Sequence, residues 1–209
     1  MGATGRTGRL VVEQALARGH RVTAITRQPW AAPPNQPELR TATVDLTDSA
    51  KLTGLLNDQD AVISALGSAG RGPTTVYSAG TAAIAAALPS RARLLVISSA
   101  GLQTPADAGP IIRALGRLLY RIMHSTYDDM HRMERQLARS DLTWTAVRPT
   151  QLTDAPGTDR PRISLGATER VGNRTTRTDL ARYLLDAIDD PHTHHTAVAI
   201  SSSCTCRQP

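Results

Sequence analysis

The stretch Gly2-Ala3-Thr4-Gly5-Arg6-Thr7-Gly8 opens the 209-residue chain, and a helical pattern, Thr7–Arg18, follows it at once. Glycines three apart let the backbone turn tightly and leave no side chain between the turn and whatever lies against it. Such a turn at the start of a helix aims several unbonded N–H groups, and the positive end of the helix dipole, at one point. It is a cradle for a phosphate-like anion. After the helix, His20–Arg27 reads as a β run that ends in Thr26-Arg27. Glycine turn, helix and strand in that order lift the seven residues above a chance match.

Outward from there, apolar β-rich runs alternate with helical patterns, as they do in a parallel sheet covered by helices. Strands are expected at His20–Arg27, Thr41–Asp45, Ala61–Leu66, Arg93–Ser98 and Thr143–Arg148, and helices near Thr7–Arg18, Ser49–Asn57, Thr74–Leu88 and Tyr127–Arg139. Crossovers of that length return each strand parallel and right-handed, giving an α/β, Rossmann-type doubly wound sheet in the order 3-2-1-4-5-6. A strand near Arg162–Leu165, a helix from Thr178 or Asp179 to about Asp189 and a strand at Thr196–Ser201 complete the far side. The whole of 1–209 reads as one domain. One element is missing: a phosphate turn normally follows a central strand of about five residues, and here only Met1 precedes Gly2. The first central strand is therefore expected to be truncated, and residues restored upstream should raise stability. A long excursion, Gly101–Thr126, contains the amphipathic stretch Ile111–Met123. In an open α/β sheet it would lie over the strand ends where ligands bind, as a lid or as a surface helix over the core.

Composition excludes several classes. No stretch approaches the roughly 18 apolar residues of a membrane span, so a soluble, cytoplasmic protein without a membrane partner is expected. The net charge of +6 rests almost wholly on dispersed arginines, with Lys51 the only lysine. No basic run is interleaved with aromatics, which argues against a nucleic-acid partner. Cys204 and Cys206 are too few for a structural zinc site, and His192, His194 and His195 fall in a loop after Pro191, so no metal is expected.

A dinucleotide would set its pyrophosphate on Gly2, Gly5 and Gly8, with Thr4, Arg6 and Thr7 adding donors. NAD-specific sites place an acid at the end of the second strand, whereas an Arg there pairs with the 2′-phosphate of NADP. The residue here is Arg27, which favours NADP(H) and leaves NAD(H) possible, with Arg6 a second candidate contact. Asp45, with Leu46 beside it, would cap the following turn and could accept from the adenine amino group. Leu66 and Gly67 would let the cofactor pass close to the backbone.

Four segments, Gly2–Gly8, Ala65-Leu66-Gly67, Val96-Ile97-Ser98-Ser99-Ala100 and Trp144-Thr145-Ala146-Val147-Arg148-Pro149, together resemble the atypical short-chain dehydrogenases/reductases. The closest branch is the NAD(P)H-binding proteins similar to biliverdin reductase B, also called flavin reductase, with the NmrA-like regulators nearby. The resemblance runs from Gly2 to about Ser201. It implies that Ser98 and Ser99 lie near the nicotinamide, with Ser99 in a catalytic position, and that Pro149 and Leu152 meet the carboxamide end. In the wider superfamily a Tyr-x-x-x-Lys pair transfers the proton, the Lys lowering the tyrosine pKa. Tyr127 matches that tyrosine, and His131 stands where the Lys would be. In the flavin-reductase branch hydride passes to a stacked acceptor without a dedicated acid. The resemblance thus implies an NADPH-dependent reductase of a flat conjugated small molecule such as a flavin, tetrapyrrole or quinone. The alternative is a non-catalytic, NmrA-like NADP(H) sensor. Aromatic content of 3%, with no Phe, leaves few stacking partners for such an acceptor. The oligomeric state is left open.

Overall fold

The apolar runs become strands and the mixed runs become helices, because each run can bury one side only in that form. The computed structural model describes residues 1–31, 33–68, 70, 72–102, 109–158, 160–169 and 171–202, with 110–115 and 119 described as backbone only. In chain order the elements are α1 (Arg6–Ala17), β1 (Val22–Thr26), β2 (Leu39–Thr43), α2 (Ser49–Leu56), β3 (Ala61–Ser64), α3 (Val76–Ala87), β4 (Arg93–Ile97), α4 (Pro110–Leu137), β5 (Thr143–Pro149), β6 (Gln151–Thr153), β7 (Arg162–Leu165), β8 (Arg174–Thr176), α5 (Arg177–Asp186) and β9 (Thr196–Ser201). Side chains start two of the helices: Asp48 accepts from Lys51 N at 3.0 Å, and Thr176 accepts from Asp179 N at 3.1 Å. Each satisfies an amide that the first helical turn leaves unpaired.

Strands β3-β4-β5-β9 run parallel, and β7 is added antiparallel to β9. Strands β1 and β2 pair parallel as a separate ribbon, and β6 with β8 as another. The expected order is present, but not as one continuous sheet. Between β1 and β3 only Met1 and Gly2 stand in the central position. Gly2 N donates to Ile25 O at 3.2 Å, Met1 N to Ile63 O at 2.7 Å, and Ala65 N to Met1 O at 3.0 Å. Beside this stub is a cavity of about 730 Å³, lined among others by Val11, Val12, Ala15, Val22, Ile25, Val62 and Ile63.

Helices cover both faces. Leu52, Leu56, Ile84, Met133 and Leu137 of α2, α3 and α4 pack on Val62, Leu94, Val96 and Ala146. On the other face, Val11 and Ala15 of α1 with Leu180 and Leu184 of α5 pack on Leu95, Val147, Val198 and Ile200. Burial of such apolar side chains on both faces is the main force that drives folding.

The excursion differs from expectation. Ile111–Met123 and Tyr127–Arg139 are not separate segments: the single helix α4 runs unbroken through the first and on through the second as far as Leu137. Ser125 and Thr126 do not interrupt it, since neither removes a backbone donor, and Thr126 is buried within it. The segment between β4 and this helix therefore ends at Gly109, and Pro110 fits the first helical turn. Residues 103–108, like Cys204 and Cys206, lie outside the described residues.

Candidate active site at the carboxyl ends of the strands

Helix α1 begins without a side-chain cap. Gly5, in extended conformation, is its N-cap, no acidic residue stands in its first turn, and Arg9 N makes the first helical bond to Gly5 O at 2.9 Å. The amides of Arg6, Thr7 and Gly8 thus precede any intrahelical acceptor and point out of the helix start. Packing as well as ligand approach demands two of the glycines. Gly2 has φ +73°, and a Cβ there would lie 2.5 Å from Ala65 O; a Cβ on Gly8 would lie 2.2 Å from Gly2 O. Gly5 is less confined, its nearest contact being Gly2 O at 3.3 Å. Thr4 is exposed, with its carbonyl accepting from Arg9 Nε at 3.1 Å, and Thr7 is half-buried. Arg6 is drawn sideways: Asp154, just after β6, accepts from Arg6 Nη1 at 2.9 Å and from Arg177 Nη1 at 2.7 Å.

Arg27 follows β1 directly and is exposed; among the described residues no hydrogen bond or ion pair engages its guanidinium. Asp45 caps its turn, accepting from Thr47 N and Oγ1, both at 2.9 Å. The backbone bond, then the hydroxyl bond, holds its carboxyl below the usual range. Leu46 and Leu66 lie against Gly80 of α3, where a Cβ would come within 2.5 Å of Leu66 Cδ1 and 3.2 Å of Leu46 Cδ1. Gly67 has nothing within 4 Å of a notional Cβ, so its lack of a side chain leaves open space rather than satisfying a packing constraint. An uncapped helix start beside open space over Gly67 fits a pyrophosphate-bearing ligand.

Ser98 is buried at the end of β4, where its amide donates to Val147 O at 2.8 Å. Ser99, next along, accepts from Gly101 N at 3.1 Å. Tyr127 reaches the same place from α4: a Cβ on Gly101 would lie 2.3 Å from the Tyr127 hydroxyl and 3.4 Å from Ser99 Oγ. The two hydroxyls therefore converge, over the one residue whose lack of a side chain permits it. Tyr120 packs on Tyr127 with ring centroids 5.7 Å apart and donates to Asp128 at 2.6 Å, a bond that pushes the Tyr120 hydroxyl pKa up. His131 is one turn beyond Tyr127 on α4, but among the described residues no hydrogen bond joins them. Pro149 is buried at the end of β5, and Leu152 is half-buried in β6.

Other residues at the site escaped the sequence reading. Glu134 accepts from Ser98 Oγ at 2.6 Å and from Arg148 Nε at 3.0 Å. It lies seven residues past Tyr127, hence two turns along the same helix face, and that spacing was the available signal. Asp129 is fully buried and accepts from Tyr77 N at 2.9 Å and from Ser78 Oγ, capping α3 from α4. No sequence-local pattern announces a cap supplied from another helix.

No helix among the described residues is long and apolar enough to cross a membrane. Solved structures with the same fold include a short-chain dehydrogenase/reductase from Veillonella parvula in complex with NADP (TM-score 0.78, 19% identity, 98% of this chain and 93% of that one). Another is ChuY, an anaerobillin reductase from Escherichia coli O157:H7 (0.71, 19%, 100% and 97%). A third, from Streptococcus pneumoniae, is assigned as an NADH-flavin reductase (0.71, 23%, 96% and 96%). At these identities the likeness establishes the fold. Residues 2–191, from the glycine turn to beyond α5, match the family described as NAD(P)H-binding, and the chain belongs to that family.

Proposed function

We propose that the protein is an NADPH-dependent reductase of a flat conjugated small molecule: a flavin, tetrapyrrole or quinone. The observation that carries this reading is the convergence of the Ser99 and Tyr127 hydroxyls over Gly101, at the same sheet edge as the uncapped start of α1. Structural neighbours that carry the names flavin reductase and anaerobillin reductase support it.

In this reading Gly2, Thr4, Gly5, Arg6, Thr7 and Gly8 hold the pyrophosphate, the turn amides supplying most of the donors. Arg27 pairs with a 2′-phosphate, a bidentate match that NADH cannot offer. Asp45 and Leu46 border the adenine, and Leu66 and Gly67 the path of the cofactor. Ser98, Pro149 and Leu152 border the nicotinamide end. When bound, the dinucleotide supplies a hydride. The protein's part is orientation and exclusion of water. Ser99 and Tyr127 donate hydrogen bonds to a heteroatom of the acceptor, and Tyr127, with its ring buried, holds the proton that the reduced acceptor takes up.

The test is NADPH oxidation by the purified chain with flavin, quinone and tetrapyrrole acceptors. Turnover that falls about tenfold or more in Ser99→Ala and in Tyr127→Phe supports the assignment. Tight NADPH binding with no oxidation of any acceptor would instead support a redox sensor. The feature favouring that second reading is His131 at the position where the wider superfamily carries lysine. The acceptor is the only partner proposed, and a cytoplasmic location goes with it.

A further inference from the structure

We infer that Glu134, held by Arg148, is a positioning residue that sets the Ser98-Ser99 corner against the helix carrying Tyr127. The inference rests on the site proposed above. The Glu134 carboxylate takes three hydrogen bonds: Ser98 Oγ at 2.6 Å and Arg148 Nε at 3.0 Å on one oxygen, and Arg148 Nη2 on the other. Its side chain is 13% exposed and that of Arg148 8%. Three elements meet in this clamp: β4, which ends at Ile97 and leads to Ser98 and Ser99; β5, which carries Arg148 and ends in Pro149; and α4, which carries Tyr127.

Among the described residues, the buried Arg177 pairs with the exposed Asp154, and three other buried charges satisfy backbone groups. Asp129 caps α3 through Tyr77 N, Asp179 receives Thr158 N at about 3.0 Å, and Arg93 donates to Ala187 O at 2.9 Å and Ile188 O at 3.2 Å. Glu134 accepts from side chains only. A buried ion pair is a poor way to gain stability, since apolar residues of like volume serve as well or better. What the charged clamp adds is geometry: a bidentate carboxylate–guanidinium pair fixes direction as well as distance, and Ser98 is tied to it directly. Because a misplacement of about 1 Å can cost on the order of a hundredfold in rate, a clamp under two adjoining strand ends and the Tyr127 helix governs catalysis without touching substrate.

The experiment uses the full chain and two variants: Glu134→Met/Arg148→Met, which replaces the pair by apolar residues, and Glu134→Gln, which keeps an acceptor for Ser98 but loses the charge. Thermal unfolding, the NADPH dissociation constant, the emission spectrum of bound NADPH, and kcat and KM for the acceptor are measured on each. The expected result for the double variant is an unchanged or higher Tm, NADPH affinity within about threefold of the parent, and kcat lower by about tenfold or more with acceptor KM little altered. The emission of bound NADPH should return toward that of free NADPH, because the nicotinamide end is no longer held in one place. Equal kcat and an identical bound spectrum in the folded double variant would overturn the inference, and if that variant fails to fold, the same outcome in Glu134→Gln would do so. Should the parent itself turn over no acceptor, the reductase reading fails on its own. The emission arm still decides the positioning role.

Discussion

An extension of about five β-branched apolar residues ahead of Met1 should stabilise this protein by roughly 4 kcal/mol. The reason is the cavity of about 730 Å³ between β1 and β3. In a parallel ladder, alternate residues turn both backbone groups to opposite sides. Val22 N bonds to Glu38 O and Val44 N to Thr26 O, so the even-numbered residues of β1 face β2, leaving Thr23 and Ile25 toward the cavity. Arg93 N bonds to Asp60 O, so Ala61 and Ile63 face it from the other side. The Met1–Gly2 stub already takes Ile25 O, Ile63 O and Ala65 N, which fixes direction and register for a strand entering between the edges. About four newly ordered residues, buried on both faces, would gain about 2 kcal/mol each from apolar burial and about 1 kcal/mol from each of about four ladder bonds. Ordering backbone and side chains would cost about 2 kcal/mol per residue. At about 2–4 °C per kcal/mol for a chain of this size, Tm should rise by roughly 10 °C. The assay is reversible thermal or urea unfolding of the parent, the apolar extension, and a Gly/Ser extension of equal length. An apolar extension that leaves Tm unchanged, or that shifts it no more than the Gly/Ser control, would refute the strand-slot reasoning.

Three further outcomes follow from the same geometry. The Met1 amine is desolvated in the fold, which pulls its pKa from 8.0 to about 6. The unfolded chain then binds more protons between those values, so stability should rise as pH goes from about 6 to 8, by an amount on the order of 2–3 kcal/mol, and an acetylated or extended N-terminus should lose that dependence; urea unfolding across this range checks it. Gly101→Ala would push a methyl to 2.3 Å from the Tyr127 hydroxyl, costing about 1–3 kcal/mol in stability and lowering kcat more than NADPH affinity, as calorimetry and steady-state kinetics would show. Arg27→Ala should weaken NADPH binding by about tenfold or more, toward the NADH value, while leaving NADH binding unchanged; parallel fluorescence titrations decide it, and equal losses for both cofactors would remove Arg27 from phosphate recognition.

Much of the fold could be read along the chain because its determinants are local. The Gly2–Gly8 turn with its helix, and the apolar runs of β1, β3, β4, β5 and β9, depend on spacing, chain reversal and one-sided burial, which a linear pattern records. The alternation of strands and helices was legible too. The length of α4 was not. Ser125 and Thr126 look like loop residues in sequence, yet burial of Tyr127, Met130 and Met133 in the core carries the helix through them, and packing overrides such weak propensities.

At the site, the sequence by itself determined which residue types stood at the strand ends: Arg27, Asp45, Gly67, Ser98 and Ser99, Pro149. Position along a strand or turn settles that much. Only the tertiary structure decided how they combine. It brought Tyr127 to Ser99 over Gly101, bound Arg6 and Arg177 to the one carboxylate of Asp154, and joined Ser98, Glu134 and Arg148 across three elements. Those pairings join residues far apart in the chain, and their geometry is set by how α4 packs on the sheet. No local pattern encodes that angle, because it is the outcome of burying many side chains at once.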